Sequence, residues 1–227
     1  MESTDELLKT FSGTTPLMPL PDFVFFPKTV QPLRIFEPRY VEMVRDCLAA
    51  ERLFTIPLLK VAESEADTPA PPFHEIATMG FINRADPQGD DTYKLLVTGL
   101  AKVEIVEVDS DRPYRRGAVT PVQEFTQVTD GEKKLREMLR LFQAILKKAR
   151  IGFDLEVFTE EGVSVEMVTH SIINAIPIEP GEKQKMLELQ SLELRLEILF
   201  SFLQSGLHTI SSLGRFDPIL PTNPLWN

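Results

Sequence analysis

One change of pattern divides this sequence. From Pro16 to about Phe125 the chain consists of short apolar runs broken by prolines, whereas from Gly131 onward apolar residues recur every three or four positions. The short runs predict β-strands, and the later spacing predicts amphipathic helices. Strands followed by helices, rather than alternating with them, indicate an α+β protein.

Seven apolar runs in the first part predict strands. They span residues 17–27, 30–36, 53–61, 75–85, 92–99, 101–109 and 117–125. The connections between several of them are short, and only one helix is inserted. This arrangement predicts a closed or nearly closed antiparallel sheet, a pseudo-barrel. Residues 62–72 are acidic and rich in proline, which predicts an exposed loop.

The stretch LRIFEPRY, residues 33–40, predicts an abrupt corner from a strand into the inserted helix. Pro38 suits the first helical position, because its missing N–H would have no partner there and its φ is already helical. Glu37 lies beside the positive end of this helix, where its carboxylate can accept from unpaired amides. We expect Arg39 to bind Glu37 or a neighbouring carbonyl and to fix the corner.

The second part predicts three helices that pack as a bundle. The first spans residues 132–150, the second begins with Ser164 as its N-cap and runs through Ile176, and the third runs from Pro180 to about Gln204. The predicted organisation is a flexible tail at 1–14, a β-rich subdomain at 15–128, a helical subdomain at 129–206 and a C-terminal tail at 207–227.

Composition limits the class of protein. The formal net charge is −10, and Cys47 is the single cysteine. One cysteine excludes an intrachain disulfide and favours a reducing compartment, and the acidic balance argues against nucleic acid as a partner. The N-terminus lacks the apolar core of a secretory signal, and no apolar run reaches membrane-spanning length. We therefore expect a cytoplasmic protein with no membrane partner.

The sequence carries no motif for catalysis or metal binding. It contains no Gly-Lys dipeptide, so it cannot form a nucleotide-binding phosphate loop. His74, His170 and His208 are scattered, which predicts histidines at the surface or the core edge rather than metal ligands. Cys47 lies on the inserted helix among apolar residues and is expected to be buried and unreactive. We predict a non-enzyme without a cofactor or a metal.

Several stretches resemble one known family. Residues 19–46, PLPDFVFFPKTVQPLRIFEPRYVEMVRD, are similar to the opening signature of the Lon protease N-terminal domain, or Lon substrate-binding domain. The similarity continues through residues 79–82, 94–108, 111–119 and 176–188, and it covers roughly residues 16–205. This resemblance implies a β-rich, PUA-like pseudo-barrel followed by a helical subdomain. It also implies a stand-alone domain, since nearly the whole length is used and no room remains for the ATPase and Ser-Lys protease domains.

The resemblance further implies that the protein binds polypeptide segments or a protein partner, with an adaptor role in protein quality control as one form of that function. The candidate binding residues are aromatic: Phe23, Phe25, Phe26, Phe36 and Tyr40. Strand alternation places Phe23 and Phe25 on one face and Phe26 on the other, so at least one is expected at the surface. Burial of all five in the core is the competing interpretation. Glu37, Pro38 and Arg39 are interpreted as a structural motif.

Other functions stay open. PUA-like folds include RNA-binding modules, and one branch of Lon-like domains recognises small molecules, although that branch adds a metal-bearing domain with paired cysteines. The helix at 132–150 has a basic face that suits an acidic partner surface, and a solvated face is the competing interpretation. That face contains Lys133, Lys134, Arg136, Arg140, Lys147, Lys148 and Arg150.

Overall fold

The computed structural model describes residues 11–60, 70–89, 91–149, 158 and 162–213. The predicted tails at 1–14 and 207–227 and the predicted loop at 62–72 lie mostly outside these residues. The chain divides into two compact units, Met1–Val122 and Gln123–Asn227. Within the described residues, the first unit contains six strands and one helix, and the second contains four helices.

The first unit is built around one six-stranded sheet. Its strands are β1 (Thr14–Leu17), β2 (Val30–Ile35), β3 (Leu53–Ile56), β4 (Ile76–Pro87), β5 (Tyr93–Val108) and β6 (Arg115–Pro121), and its helix α1 spans Pro38–Ala49. Strand pairing runs β5–β4–β3–β1–β6, and β6 returns to β5, so five strands close into a ring. β2 pairs with β5 outside that ring. The predicted pseudo-barrel is confirmed, with one parallel pair, β1 with β3.

The predicted strand at 17–27 is wrong. β1 ends at Leu17, and the only later pairing in this stretch is an isolated bridge from Leu20 to Leu58. Three prolines in the stretch lack an N–H and cannot donate to a neighbouring strand. The apolar residues that suggested a strand are buried in an irregular connection instead.

The two strands predicted at 92–99 and 101–109 form the single strand β5, which is 16 residues long. The irregularity between them is a β-bulge, because Gly80 pairs with Gly99 and Met79 pairs with Ala101, so Leu100 has no partner on β4. A bulge bends a strand locally. The bend allows β5 to pair with β2 near its start and with β6 near its end.

The core of the first unit has two clusters, one on each side of β5's bulge. Leu95 and Val97 belong to the cluster that α1 covers, and Val103 and Ile105 belong to the other. Helix α1 contributes its buried face to the first cluster, namely Tyr40, Val41, Met43, Val44 and Cys47. Burial of this apolar stripe fixes α1 against the sheet.

The second unit consists of four helices, α2 (Gly131–Ala149), α3 (Val165–Ala175), α4 (Pro180–Glu188) and α5 (Leu192–Leu213). The predicted first two helices are confirmed. Ser164 caps α3, because its hydroxyl accepts from the Met167 N–H at 3.1 Å. Met138 and Phe142 of α2 are buried, as are Ile172 of α3 and Leu196 of α5.

The single third helix predicted from Pro180 to Gln204 is wrong, because the chain leaves the helix at residues 189–191. Phe125 forms an isolated parallel bridge there, since its N–H donates to the Gln190 carbonyl and its carbonyl accepts from the Leu192 N–H. The Ser191 hydroxyl then accepts from the Leu194 N–H at 3.3 Å and starts α5. The strand predicted at 117–125 accordingly ends at Pro121.

Arg195 lies at the centre of a buried polar cluster in the second unit. Its side chain is 1% exposed. The guanidinium donates to the carbonyls of Met186 at 2.8 Å and Leu189 at 2.6 Å, and to the Glu124 carboxylate at 2.6 Å. A fourth bond joins Nη1 to Nε2 of His170 at 2.6 Å, and because arginine only donates, the histidine nitrogen accepts. His170 is also fully buried, which corrects the expectation of a histidine at the surface or core edge.

Among the residues that the structure describes, no helix combines the length and the apolar character needed to cross a membrane.

Candidate functional site

The first unit contains a cleft of about 520 Å³ between the start of α1 and the chain that enters β6. We call it the arginine cleft, because three arginines and two tyrosines contribute to its walls. The residues considered below are Arg39, Tyr40, Glu107, Arg112, Tyr114 and Arg115. Pro19, Pro71 and Pro113 add apolar surface to the same walls.

Arg39 and Tyr40 form one wall. Pro38 occupies the first turn of α1 as predicted, which brings both side chains directly to the corner. The Arg39 guanidinium binds the Glu37 carboxylate at 2.8 Å and lies 4.5 Å from the centre of the Tyr40 ring. The expected Arg39–Glu37 contact is therefore present. Glu37 does not cap the helix with its side chain, because that long side chain reaches the guanidinium instead.

The Tyr40 ring is buried, and its hydroxyl is 3.4 Å from the Pro19 carbonyl oxygen. Burial raises the pKa of Tyr40 above its usual value, although the positive charges of Arg39 and Arg115 act in the opposite direction. The phenol therefore stays protonated and can donate. The Arg39 guanidinium packs against the Tyr40 ring, and this contact helps to orient Arg39.

Arg115, on β6, is held on three sides. Two of its nitrogens donate to the Glu107 carboxylate at 2.6 and 2.5 Å, which is the paired geometry that a guanidinium makes with a carboxylate. A third nitrogen donates to the Pro71 carbonyl at 2.7 Å. The guanidinium also lies 4.4 Å from the centre of the Phe73 ring. These contacts leave little freedom to the side chain, so the wall is preorganised.

Tyr114 and Arg112 meet helix α1 at Asp46. The Tyr114 hydroxyl donates to the Asp46 carboxylate at 2.6 Å, and Arg112 binds the same carboxylate at 3.2 Å. Burial raises the pKa of the Tyr114 phenol above its usual value, and the hydrogen bond to Asp46 is the second cause of this rise. The shared carboxylate connects the two walls of the cleft within the first unit.

This arrangement offers hydrogen-bond donors and apolar surface in the same cleft. Each guanidinium carries five N–H groups, and Arg39, Arg112 and Arg115 use only some of them in the contacts above. The remaining donors match backbone carbonyls, and the tyrosine and proline surfaces match apolar side chains. Glu37, Asp46 and Glu107 balance the three positive charges, which disfavours a phosphate ligand. Among the described residues, no cluster of three histidine, cysteine or acidic side chains could hold a metal ion.

The structure does not bring the five predicted aromatic residues together. Phe25 and Phe26 are fully buried, so neither can contact a partner while the protein is folded. Phe23 is half-buried and stacks on Phe25 with ring centres 6.0 Å apart. Phe36 is 66% exposed, and Tyr40 reaches the cleft. The predicted alternation fails because residues 23–26 do not form a strand.

Arg112, Tyr114 and Arg115 were missed as site residues by the sequence analysis, where residues 111–119 entered only through the family resemblance. A signal was present, because FEPRY and DRPYRR both combine an acid with proline, arginine and tyrosine. Two such stretches, more than seventy positions apart, contribute opposite walls of the cleft.

Cys47 is buried, as predicted, and its thiol lies 3.3 Å from the Leu53 carbonyl oxygen, to which it donates. Burial, and then the charge of Asp46, raises the pKa of this thiol to about 12. Because the thiolate is the reactive form, we expect a disulfide reagent at about pH 8 to modify the folded protein at least about 100-fold more slowly than the unfolded protein. Measuring the labelling rate with and without denaturant checks this, and equal rates would contradict it.

Comparisons with known proteins identify the family and the fold of the chain. Residues 14–205 match the family described as "ATP-dependent protease La (LON) substrate-binding domain". The Lon protease of Anaeromyxobacter dehalogenans is 27% identical over 211 residues, which are 89% of this chain and 24% of that protein. The chain thus spans about a quarter of the length of the curated relatives it matches.

Two solved structures share the fold. The Lon N-terminal domain protein from Xanthomonas campestris has a TM-score of 0.58 at 19% identity, covering 83% of this chain and 98% of its own. The N-terminal domain of the Mycobacterium avium complex Lon protease has a TM-score of 0.62 at 14% identity, covering 84% and 98%. The match over residues 14–205 shows that the chain belongs to the family of Lon substrate-binding domains.

Proposed function

We propose that the arginine cleft binds extended segments of other polypeptides. The observation that carries this proposal is the pairing of fixed arginine donors with tyrosine and proline surfaces on both walls. The family description names substrate binding, and the relatives are named as proteases, which supports a polypeptide as the ligand. We assign binding without catalysis to this chain.

The proposed mode of binding follows from the geometry of an extended chain. Such a chain offers a carbonyl about every 3.3 Å, and the guanidinium groups donate to these acceptors whatever the side chains are. Aromatic and apolar side chains of the client pack on Tyr40 and on the prolines of the walls. The cleft then selects for an unfolded or extended state rather than for one sequence. Presenting such a segment to a separate protease in the cytoplasm is the adaptor role that we propose.

The test replaces two cleft arginines whose ion pairs lie in solvent, Arg39→Ala with Arg112→Ala. Exposed ion pairs contribute at most about 1 kcal/mol, so this double variant is expected to fold. Loss of two charged donors is expected to weaken binding of a fluorescent, reduced and alkylated polypeptide about tenfold, or roughly 1.4 kcal/mol. Fluorescence anisotropy measures the dissociation constant, and circular dichroism checks the fold.

The matched control is Arg34→Ala with Arg84→Ala, which removes two exposed arginines of the same unit outside the cleft. This control is expected to bind like the unchanged protein. An equal loss of affinity in both double variants would show that general charge, rather than the cleft, governs binding. Unchanged affinity in the Arg39/Arg112 variant would overturn the proposed function.

A further inference from the structure

Helix α2 carries a continuous line of exposed polar residues along one side. They are Lys133, Arg136, Arg140, Gln143 and Lys147, at successive spacings of three, four, three and four residues. This spacing follows the helical repeat, so the five side chains lie in a row about 21 Å long. We call this row the basic stripe.

Within the described residues, most of the cations of the basic stripe have no acidic partner. Arg136 is paired with Glu132 at 3.5 Å, one turn earlier on the same helix. In the part of the chain that the structure describes, Lys134 and Arg136 of this helix form ion pairs, and Lys133, Arg140 and Lys147 form none. Among the described residues, three exposed cations of the stripe are thus not neutralised by an ion pair.

The opposite side of α2 is already used. Met138, Phe142, Ile145 and Leu146 are buried in the second unit. An amphipathic helix binds a membrane surface through its apolar side, and here that side is within the core. The basic stripe can therefore offer charge and hydrogen-bond donors to a partner, without an apolar anchor for lipid.

The charge of the whole chain restricts the partner further. At a net charge of −10, a long polyanion such as RNA that runs past the stripe meets repulsion from acidic surface. A short acidic segment avoids this, because charges beyond about 8 Å are screened at physiological salt. A row of 21 Å corresponds to about six residues of extended chain. We propose that the basic stripe docks a short acidic segment of a partner protein.

The probe is a fluorescein-labelled peptide of about eight glutamates, and anisotropy is measured at about 50 and 200 mM salt. The variant is Lys133→Glu with Arg140→Glu and Lys147→Glu, at positions exposed enough to leave the fold intact. We expect the unchanged protein to bind and the triple variant to bind at least about tenfold more weakly at low salt. The affinity of the unchanged protein is expected to fall as salt rises.

The control is Arg34→Glu with Lys60→Glu and Lys94→Glu, which changes the net charge by the same amount through exposed positions of the first unit. It is expected to change affinity by less than about twofold. Equal losses in both variants, or no binding by the unchanged protein, would overturn the proposal. So would tighter binding of a mixed-sequence RNA oligonucleotide, or binding to anionic lipid vesicles, through the same three residues. The proposed docking of an acidic segment on the basic stripe does not depend on polypeptide binding in the arginine cleft.

Discussion

Replacing Arg195 with methionine is expected to lower the free energy of unfolding of the second unit by about 3–5 kcal/mol. Methionine keeps much of the volume of the side chain but none of its donors. The carbonyls of Met186 and Leu189 lose their bonds, and the Glu124 carboxylate, 13% exposed, loses its cation. Removing one partner of a buried hydrogen bond costs about 1–3 kcal/mol, and removing the partner of a carboxylate costs more.

Urea unfolding, followed by the helical circular dichroism signal, measures this loss. The control is Arg136→Met, which removes an arginine from an exposed ion pair of the same unit and is expected to cost at most about 1 kcal/mol. Arg195→Lys separates charge from geometry, because lysine keeps the positive charge without the planar fork. A small loss in Arg195→Met, similar to that in Arg136→Met, would show that the buried cluster does not hold the unit together.

The helices that depend on local sequence were predicted well. Helix α3 has its cap, Ser164, and its apolar stripe within one short stretch, so nearby residues determine it. The break between α4 and α5 depends instead on Phe125, which is about sixty-five residues away and pairs with Gln190 and Leu192. Helical spacing continues across residues 189–191, so the sequence pattern alone predicts one helix.

The contacts of the candidate site also divide into those between residues close in sequence and those between distant residues. Arg39 and Glu37 are two positions apart, and their contact was predicted from the corner that Pro38 creates. Tyr114 and Asp46 are 68 positions apart, and Arg115 and Pro71 are 44 apart. Only the closed sheet brings these pairs together, so the cleft could not be located from either stretch alone.

The assignment of Phe23, Phe25 and Phe26 to faces of a strand was the weakest point of the sequence reasoning. Alternation applies to a residue only when its segment pairs with a neighbouring strand. Residues 23–26 are held by tertiary contacts, including the Thr78 hydroxyl, which donates to the Phe25 carbonyl at 2.7 Å. Both Phe25 and Phe26 therefore face the interior, although they are adjacent in sequence.

Replacing Gly99 with alanine is expected to destabilise the first unit by about 3 kcal/mol, at the upper end of the usual cost of overpacking. A Cβ atom at Gly99 would lie 2.4 Å from the Phe26 carbonyl oxygen and 3.1 Å from the Pro27 Cα. Both contacts are to backbone, which cannot rotate away as a side chain can. The close approach is needed because Gly99 exchanges two backbone hydrogen bonds with this connection, accepting from Lys28 at 2.8 Å and donating to Thr29 at 2.9 Å.

Gly89→Ala is the matched control, because a Cβ atom there would meet nothing within 4 Å, and its cost is expected to stay within about 0.5 kcal/mol. Urea unfolding of both variants, followed by far-ultraviolet circular dichroism, compares the two free energies. If Gly99→Ala unfolds at the same denaturant concentration as Gly89→Ala, the connection does not depend on close contact with β5. A large loss confined to Gly99→Ala would show that the close approach of Gly99 to the Phe26–Pro27 backbone is needed to hold this segment in place.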